Sequence, residues 1–233
     1  MTILQAPHNN KPLKIKYGDL FYERHPIKTK VIMPNDGLAN IIFDELNSHT
    51  KDGDVILVAE SALSADQDRA IPIEKIHPGW LANTLTKYMT KTDAGIGASD
   101  PLTMQVVIDE VGYLRVLLGA FIAGITKPFG IKGMFYRIAG EQARGVDGPA
   151  DYVIPPYNKQ VVRAPKNPGK WALDLQNRFK AKVKIMVMDA NDLGINILEP
   201  TSNKDEDLGK ALAFDNPLGQ SDESTPVLWC KRL

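Results

Sequence analysis

Short apolar runs alternate along this chain with polar stretches punctuated by glycine and proline, and their spacing predicts the elements. Residues 28–33 alternate enough for a strand. Asn35 or Asp36 is then placed to cap a helix whose apolar face is Leu38, Ile41, Ile42 and Leu46. Asp52-Gly53 is a turn, and Val55-Ile-Leu-Val-Ala59 is a continuous apolar run, the mark of a central buried strand. Residues 79–89 read as a short amphipathic helix. A long helix is expected from Pro101 to Ile125, capped by Ser99 or Asp100, with Gly112 and Gly119 as close-packing points. Residues 151–156 are a strand candidate, and the proline-spaced, basic residues 155–168 read as an exposed connection. Residues 171–179 predict a helix, 182–188 a strand and 206–214 a short helix. A tight polar loop, residues 215–226, leads into Val227-Leu-Trp-Cys230 as a last strand. Sheet and helix alternate without a strict βαβ rhythm, which points to an α+β or mixed α/β class.

Composition narrows the class. The chain has 233 residues, 43 % of them hydrophobic, enough for one large domain or two small ones. Charge is balanced, 28 basic against 28 acidic residues, with no Lys/Arg stripe, so no nucleic-acid partner is expected. The longest apolar run, residues 116–125, is too short to span a bilayer, so no stable membrane insertion is expected. The N-terminus lacks the apolar region of a signal peptide. The single cysteine, Cys230, sits inside an apolar run, which fits an inert thiol in a reducing, cytoplasmic compartment.

The chemistry-bearing residues are carboxylates and amides on loops. The sequence holds no Walker loop, no Gly-x-Gly-x-x-Gly after a strand and no Gly-x-Ser-x-Gly elbow. Its four histidines lie in the first third without metal-ligand spacing. Glu60 and Ser61 follow a central strand, where α/β proteins place ligands. Asp93-Ala-Gly-Ile-Gly-Ala-Ser-Asp100 is a glycine-rich loop at a helix start, a natural anion site or an ordinary capped helix. Arg144-Gly-Val-Asp147 is a turn that holds charged groups between glycines. Asp189 and Asp192 form an acidic cluster at the end of a strand. In the last loop, Gln220, Asp222 and Glu223 suit a hard cation, and Gly219, Ser221, Ser224 and Thr225 suit phosphate oxygens. Each of these residues also reads as a plain turn former or helix cap.

Taken in order, these stretches resemble the coenzyme F-420-0:L-glutamate ligase (gamma-glutamyl ligase) family. The resemblance starts at Asp52-Gly-Asp-Val-Ile-Leu-Val-Ala-Glu-Ser61 and runs through Leu63-Ser64 and Arg69. It resumes at residues 93–100, where the family shows a string like Asn-Ala-Gly-Ile-Asp-Ala-Ser-Asn, and ends at residues 218–226. It implies a two-lobed gamma-glutamyl ligase-like fold and an intertwined homodimer. The chain is then one ligase-like domain over 1–233, or two lobes joined near residue 100. It implies GTP as cosubstrate with Mg²⁺ or Mn²⁺, and a small acidic acceptor that receives an amino acid such as glutamate. By position, Glu60 and Ser61 fall at the guanine nucleotide, residues 219–226 form the C-terminal nucleotide loop, and Gln220 falls at a metal-ligand position. The family's metal-binding aspartate falls on Gly97 here and its phosphate-side lysine on Ala65. Asp100, Asp189 and Asp192 are then the candidate replacement ligands, and Arg144 and Asp147 the candidate catalytic groups. Two readings stay open: a nucleotide- and metal-dependent carboxylate–amine ligase, and a non-catalytic nucleotide- or metabolite-binding protein on the same fold with a decayed metal site.

Overall fold

The computed structural model describes residues 6–89, 98–131, 133–191, 194–219 and 223–233. Two units divide the chain. One comprises the residues up to Asp68 together with Lys166–Leu233, and the other is Arg69–Pro165. The protein is a mixed α+β fold.

The first unit is built on a sheet that, among the described residues, has six strands. They are β1 (Lys14–Tyr17), β2 (Leu20–Ile27), β3 (Val55–Ala59), β6 (Lys184–Asn191), β7 (Gly194–Leu198) and β8 (Val227–Arg232), in the order β1-β2-β8-β3-β6-β7. Only the β3–β6 pair is parallel among these ladders. Strand alternation divides the side chains. Val55 and Leu57 join Met186, Leu228 and Cys230 under helix α9 (Asn203–Ala213). Ile56, Val58 and Val187 turn to the opposite face, where α1 (Leu38–Leu46), α2 (Glu60–Asp66) and α8 (Pro168–Gln176) lie. The apolar run of β3 is therefore buried on both faces, as its lack of polar alternation predicts. Cys230 is fully buried, and burial pushes its thiol far up, so it is inert.

The second unit is helical. It holds α3 (Trp80–Leu85), α4 (Pro101–Val111), α5 (Tyr113–Thr126), α6 (Met134–Ala139) and α7 (Glu141–Arg144), with a two-stranded ladder of β4 (Ala70–Pro72) and β5 (Gln160–Val162). Met104, Val107, Ile108, Val116, Phe135 and Val161 are at its core. A buried ion network ties its ends. Arg69 Nη2 bonds Glu110, Arg69 Nε donates to the Ala164 carbonyl at 2.9 Å, and Arg163 N donates to the Arg69 carbonyl at 3.0 Å.

Several expectations are corrected. Residues 28–33 form no strand, because Thr29 N donates to the Ser224 carbonyl and not to a ladder; the strand is β2, just before them. Neither Asn35 nor Asp36 caps α1. Its N-cap is Gly37, and Asp36 Oδ2 accepts from Met33 N at 2.8 Å. The long helix 101–125 is two helices, since Gly112 adopts φ +85° and ψ 155°, which no α-helix accommodates. Gly119 is a close-packing point as expected: a Cβ there would stand 3.1 Å from the Phe135 carbonyl oxygen. Residues 151–156 are turns, and the strand of this region is β5, inside the stretch read as an exposed connection. The acidic cluster at 189 does not follow its strand: Asp189 is inside β6 and pairs with Asn196 of β7. Among the described residues no helix is long and apolar enough to cross a membrane.

Candidate functional site

Sheet order decides which loops meet. Ala59, the last residue of β3, pairs with Met188 of β6 and donates its N–H to the Pro226 carbonyl at 2.8 Å, just before β8. β3 and β6 run parallel and β8 runs against them. The chain leaving β3, the far end of β6 and the chain entering β8 therefore share one end of the sheet. Glu60 and Ser61, Asp189, and residues 223–225 are gathered there. Strand spacing of about 4.8 Å sets Asp189 roughly 10 Å from Thr225 along the row, because β3 separates them. Asp192, Gln220, Ser221 and Asp222 lie outside the described residues, as do Asp93 and Gly97.

The loop before β8 is held by its own backbone. Asn216 is buried with φ +49°; its N–H donates to the Ala213 carbonyl at 2.7 Å and its Nδ2 to the Gly219 carbonyl at 3.1 Å. Thr225 Oγ1 donates to the Leu218 carbonyl at 2.7 Å. The N-terminal segment straps this loop. His8 N donates to the Pro217 carbonyl at 3.0 Å, Lys11 Nζ donates to the Asn216 carbonyl at 2.8 Å, and His8 Nε2 lies 3.3 Å from Glu223 Oε1. Gly219 has φ +87°, and a Cβ there would come within 2.5 Å of Glu223 Oε1. Gly219→Ala is therefore expected to cost about 2 kcal/mol, from the positive φ and the displaced carboxylate together. A urea unfolding midpoint that does not move would show that the loop yields freely.

The remaining candidates are on the helical unit. Asp100 caps α4: its Oδ2 accepts from Thr103 N at 3.0 Å and Thr103 Oγ1 at 3.1 Å. Arg144 ends α7, is exposed and lies 3.1 Å from Glu141 Oε1. Asp147 forms a backbone bridge with Val162, N–H to carbonyl in both directions, at 2.8 and 2.9 Å. Tyr136, which sequence reasoning missed, sits among them. Burial pushes its phenol above its ordinary pKa; a hydrogen bond from Ala98 N opposes this, the Asp147 charge adds to it, and Arg144 opposes it. The phenolic oxygen accepts from Ala98 N at 3.4 Å, at the end of the glycine-rich loop. Its sequence signal was weak, an aromatic in a glycine-rich stretch.

The metal candidates do not form a cage by themselves. Among the described residues no group of three histidine, cysteine or acidic side chains is placed to hold a metal ion. Glu60, Asp189 and Glu223 are at one end of the sheet, whereas Asp100 belongs to the other unit. Mg²⁺ needs no full protein cage, since it takes one or two carboxylates and completes its shell with phosphate oxygens and water. These donors fit that mode of binding.

Fold and site together define a mixed α+β protein that presents polar, glycine-bearing loops at one end of its main sheet. The family described as F420-0:Gamma-glutamyl ligase matches residues 26–196, well over half of the chain, and the protein belongs to that family. The match takes in β3, the whole helical unit and β6, ends inside β7 and stops before the loop at 215–226. A search of curated proteins returns no match to the chain.

Proposed function

We propose that this protein is a gamma-glutamyl ligase-type enzyme that consumes a nucleoside triphosphate, GTP by the family resemblance, with Mg²⁺ or Mn²⁺. The observation that carries this reading is the convergence of the loops after β3, along β6 and before β8 in a chain of the ligase family. In such a reaction an acceptor carboxylate oxygen attacks the γ-phosphorus, giving an acyl phosphate and the nucleoside diphosphate. The amine nitrogen of an amino acid such as glutamate then attacks the acyl carbon. Inorganic phosphate leaves, the amide forms, and the amine gives up a proton. Glu60, Ser61 and the 219–225 loop are the groups for the nucleotide. Arg144 is the cation for an anionic substrate and Asp147 the carboxylate for the amine proton. A bound divalent ion supplies charge neutralisation on the phosphates.

A second reading, a binding protein without turnover, is favoured by one residue. Ala65, where the family places its phosphate-side lysine, is buried on α2 and offers no cation. Thermal unfolding with GTP, ATP, GDP and ADP, each with and without Mg²⁺ or Mn²⁺, separates the readings. A ligand at about 100 times its Kd adds roughly 2.7 kcal/mol, a rise of roughly 5–10 °C for a chain of this size. A metal-dependent rise with a triphosphate is the expected result. No rise with any triphosphate overturns the ligase reading. A rise with a triphosphate, but no phosphate release when glutamate and acidic acceptors are added, favours the binding protein.

A further inference from the structure

The residues ahead of β1 reach across to the loop ahead of β8. His8–Asn10 make one 3-10 turn, and Lys11 and Pro12 lead from it toward β1. Arg24 fixes the root of this strap. It donates to the Pro12 carbonyl through Nε and Nη2, and its backbone N–H donates to the Leu13 carbonyl at 2.8 Å. The same buried guanidinium grips Asp215, where the loop begins. Beyond that shared root the contacts continue. Lys11 Nζ donates to the Asn216 carbonyl at 2.8 Å, His8 N donates to the Pro217 carbonyl at 3.0 Å, and His8 Nε2 stands 3.3 Å from Glu223 Oε1. The loop has need of such a hold. Asn216 and Ser224 adopt φ +49° and +53°. Left-handed angles at residues other than glycine cost free energy and persist only where the surroundings fix them. The Glu223 carboxylate lies where a Cβ on Gly219 would stand, so its place depends on the backbone at 219 as well as on His8. Strap and loop both lie outside residues 26–196, so the family match does not carry their pairing.

We propose that residues 8–12 are a positioning strap: they hold the loop before β8 in one shape and keep Glu223 in place for a metal–triphosphate. The second role rests on the ligase reading above, whereas the hold on the loop does not. His8 and Lys11 act through the Asn216 and Pro217 carbonyls and through Glu223, not on the substrate, and are positioning residues. A loop held in one shape has less freedom to lose when a ligand arrives, so it binds more tightly. The Lys11 donor comes from 205 positions away in sequence, and the guanidinium that anchors the strap and the loop together makes so distant a tether effective.

Hydrogen exchange of the full chain, read by mass spectrometry, and calorimetric titration with GTP and Mg²⁺ test it together. In His8→Ala and in Lys11→Met, exchange is expected to quicken in peptides covering 215–226 and to stay at the parent rate in those covering β3 and β6. The Kd for GTP with Mg²⁺ is expected to rise about tenfold in each, the share of one charge-assisted hydrogen bond. His8→Gln and Lys11→Arg keep a donor at each place and are expected to restore both readings, which a general loss of stability would not allow. Unchanged exchange in 215–226 overturns the proposal. So does exchange quickened equally across the sheet, a Kd that stays at the parent value, or a failure of both conservative variants to restore the parent readings. A parent that binds no triphosphate overturns the ligase reading and with it the role of Glu223. Exchange in 215–226 then decides the hold of the strap on the loop by the same criterion.

Discussion

Replacing Asp54 with alanine is expected to lower stability by about 3–5 kcal/mol, read as an earlier urea midpoint at constant slope. The carboxylate is fully buried in front of β3. Oδ2 accepts from Lys51 N at 3.1 Å and from Trp229 Nε1 at 2.9 Å, and Oδ1 accepts from Arg232 N at 2.9 Å. One side chain therefore closes the turn before β3 and fixes the far end of β8 beside it. Alanine leaves three donors without this partner: the Trp229 Nε1 bond is buried, whereas those of Lys51 N and Arg232 N are partly buried, and a fully buried orphan costs about 1–3 kcal/mol. Asp54→Asn separates charge from hydrogen bonding. Its carbonyl oxygen serves the two donors at the Oδ2 position while its amide group faces Arg232 N, so roughly half of the loss is expected. An alanine variant within about 1 kcal/mol of the parent would mean that the strand ends hold without this carboxylate.

Arg24→Met carries the second large effect, again about 3–5 kcal/mol, because it strands a partly buried carboxylate. Arg24 is fully buried in β2. Its guanidinium forks onto Asp215, Nη1 to Oδ1 at 2.5 Å and Nη2 to Oδ2 at 3.0 Å. The remaining N–H groups reach the Pro12 carbonyl, at 3.1 Å from Nε and 2.5 Å from Nη2, and the Leu212 carbonyl at 3.1 Å. All five donors of the group are thereby used. Asp215 opens the loop that leads to β8, so under the proposed ligase function the same change is expected to weaken nucleotide stabilisation along with the fold. The paired variant Arg24→Met/Asp215→Leu removes both charges and should recover part of the loss. If the pair is as destabilised as the sum of the two single changes, the ion pair is not what holds the loop.

How much of this was readable in advance depended on the distance over which each residue is satisfied. β3, α8, α9 and β8 were legible because a continuous apolar run or a helical stripe records burial within a few residues. β2 was not. Its centre reads Glu23, Arg24, His25 and Pro26, and Arg24 becomes a core residue through Asp215, 191 positions away, together with the Pro12 and Leu212 carbonyls. β5 is three residues long, and its partner β4 is some ninety positions earlier. The break at Gly112 was visible as a glycine but not as a turn, since an internal glycine is tolerated in many helices. At the site, Glu60, Ser61 and the last loop could be named from their position after or before apolar runs. Their meeting at one end of the sheet follows from β8 and β6 flanking β3, a matter of strand order that no local pattern records. Asp100 was legible as a cap, and that is the work its side chain performs here.

The insertion of residues 69–165 into the first unit also sets an order of events during synthesis. β3 emerges early, but the strands on either side of it, β6 and β8, begin at Lys184 and Val227. A nascent chain thus holds an apolar strand with both edges open until the inserted unit has been made. Once folded, that unit pins Arg69 beside Arg163 and Ala164. The tether from β3 to β6 then shortens from roughly 125 residues to roughly 30, which lowers the entropy cost of closing the β3–β6 pair by about 1 kcal/mol. The helical insert acts as a clasp for the sheet that surrounds it in sequence, and slowing its folding would lengthen the time for which β3 is exposed to aggregation.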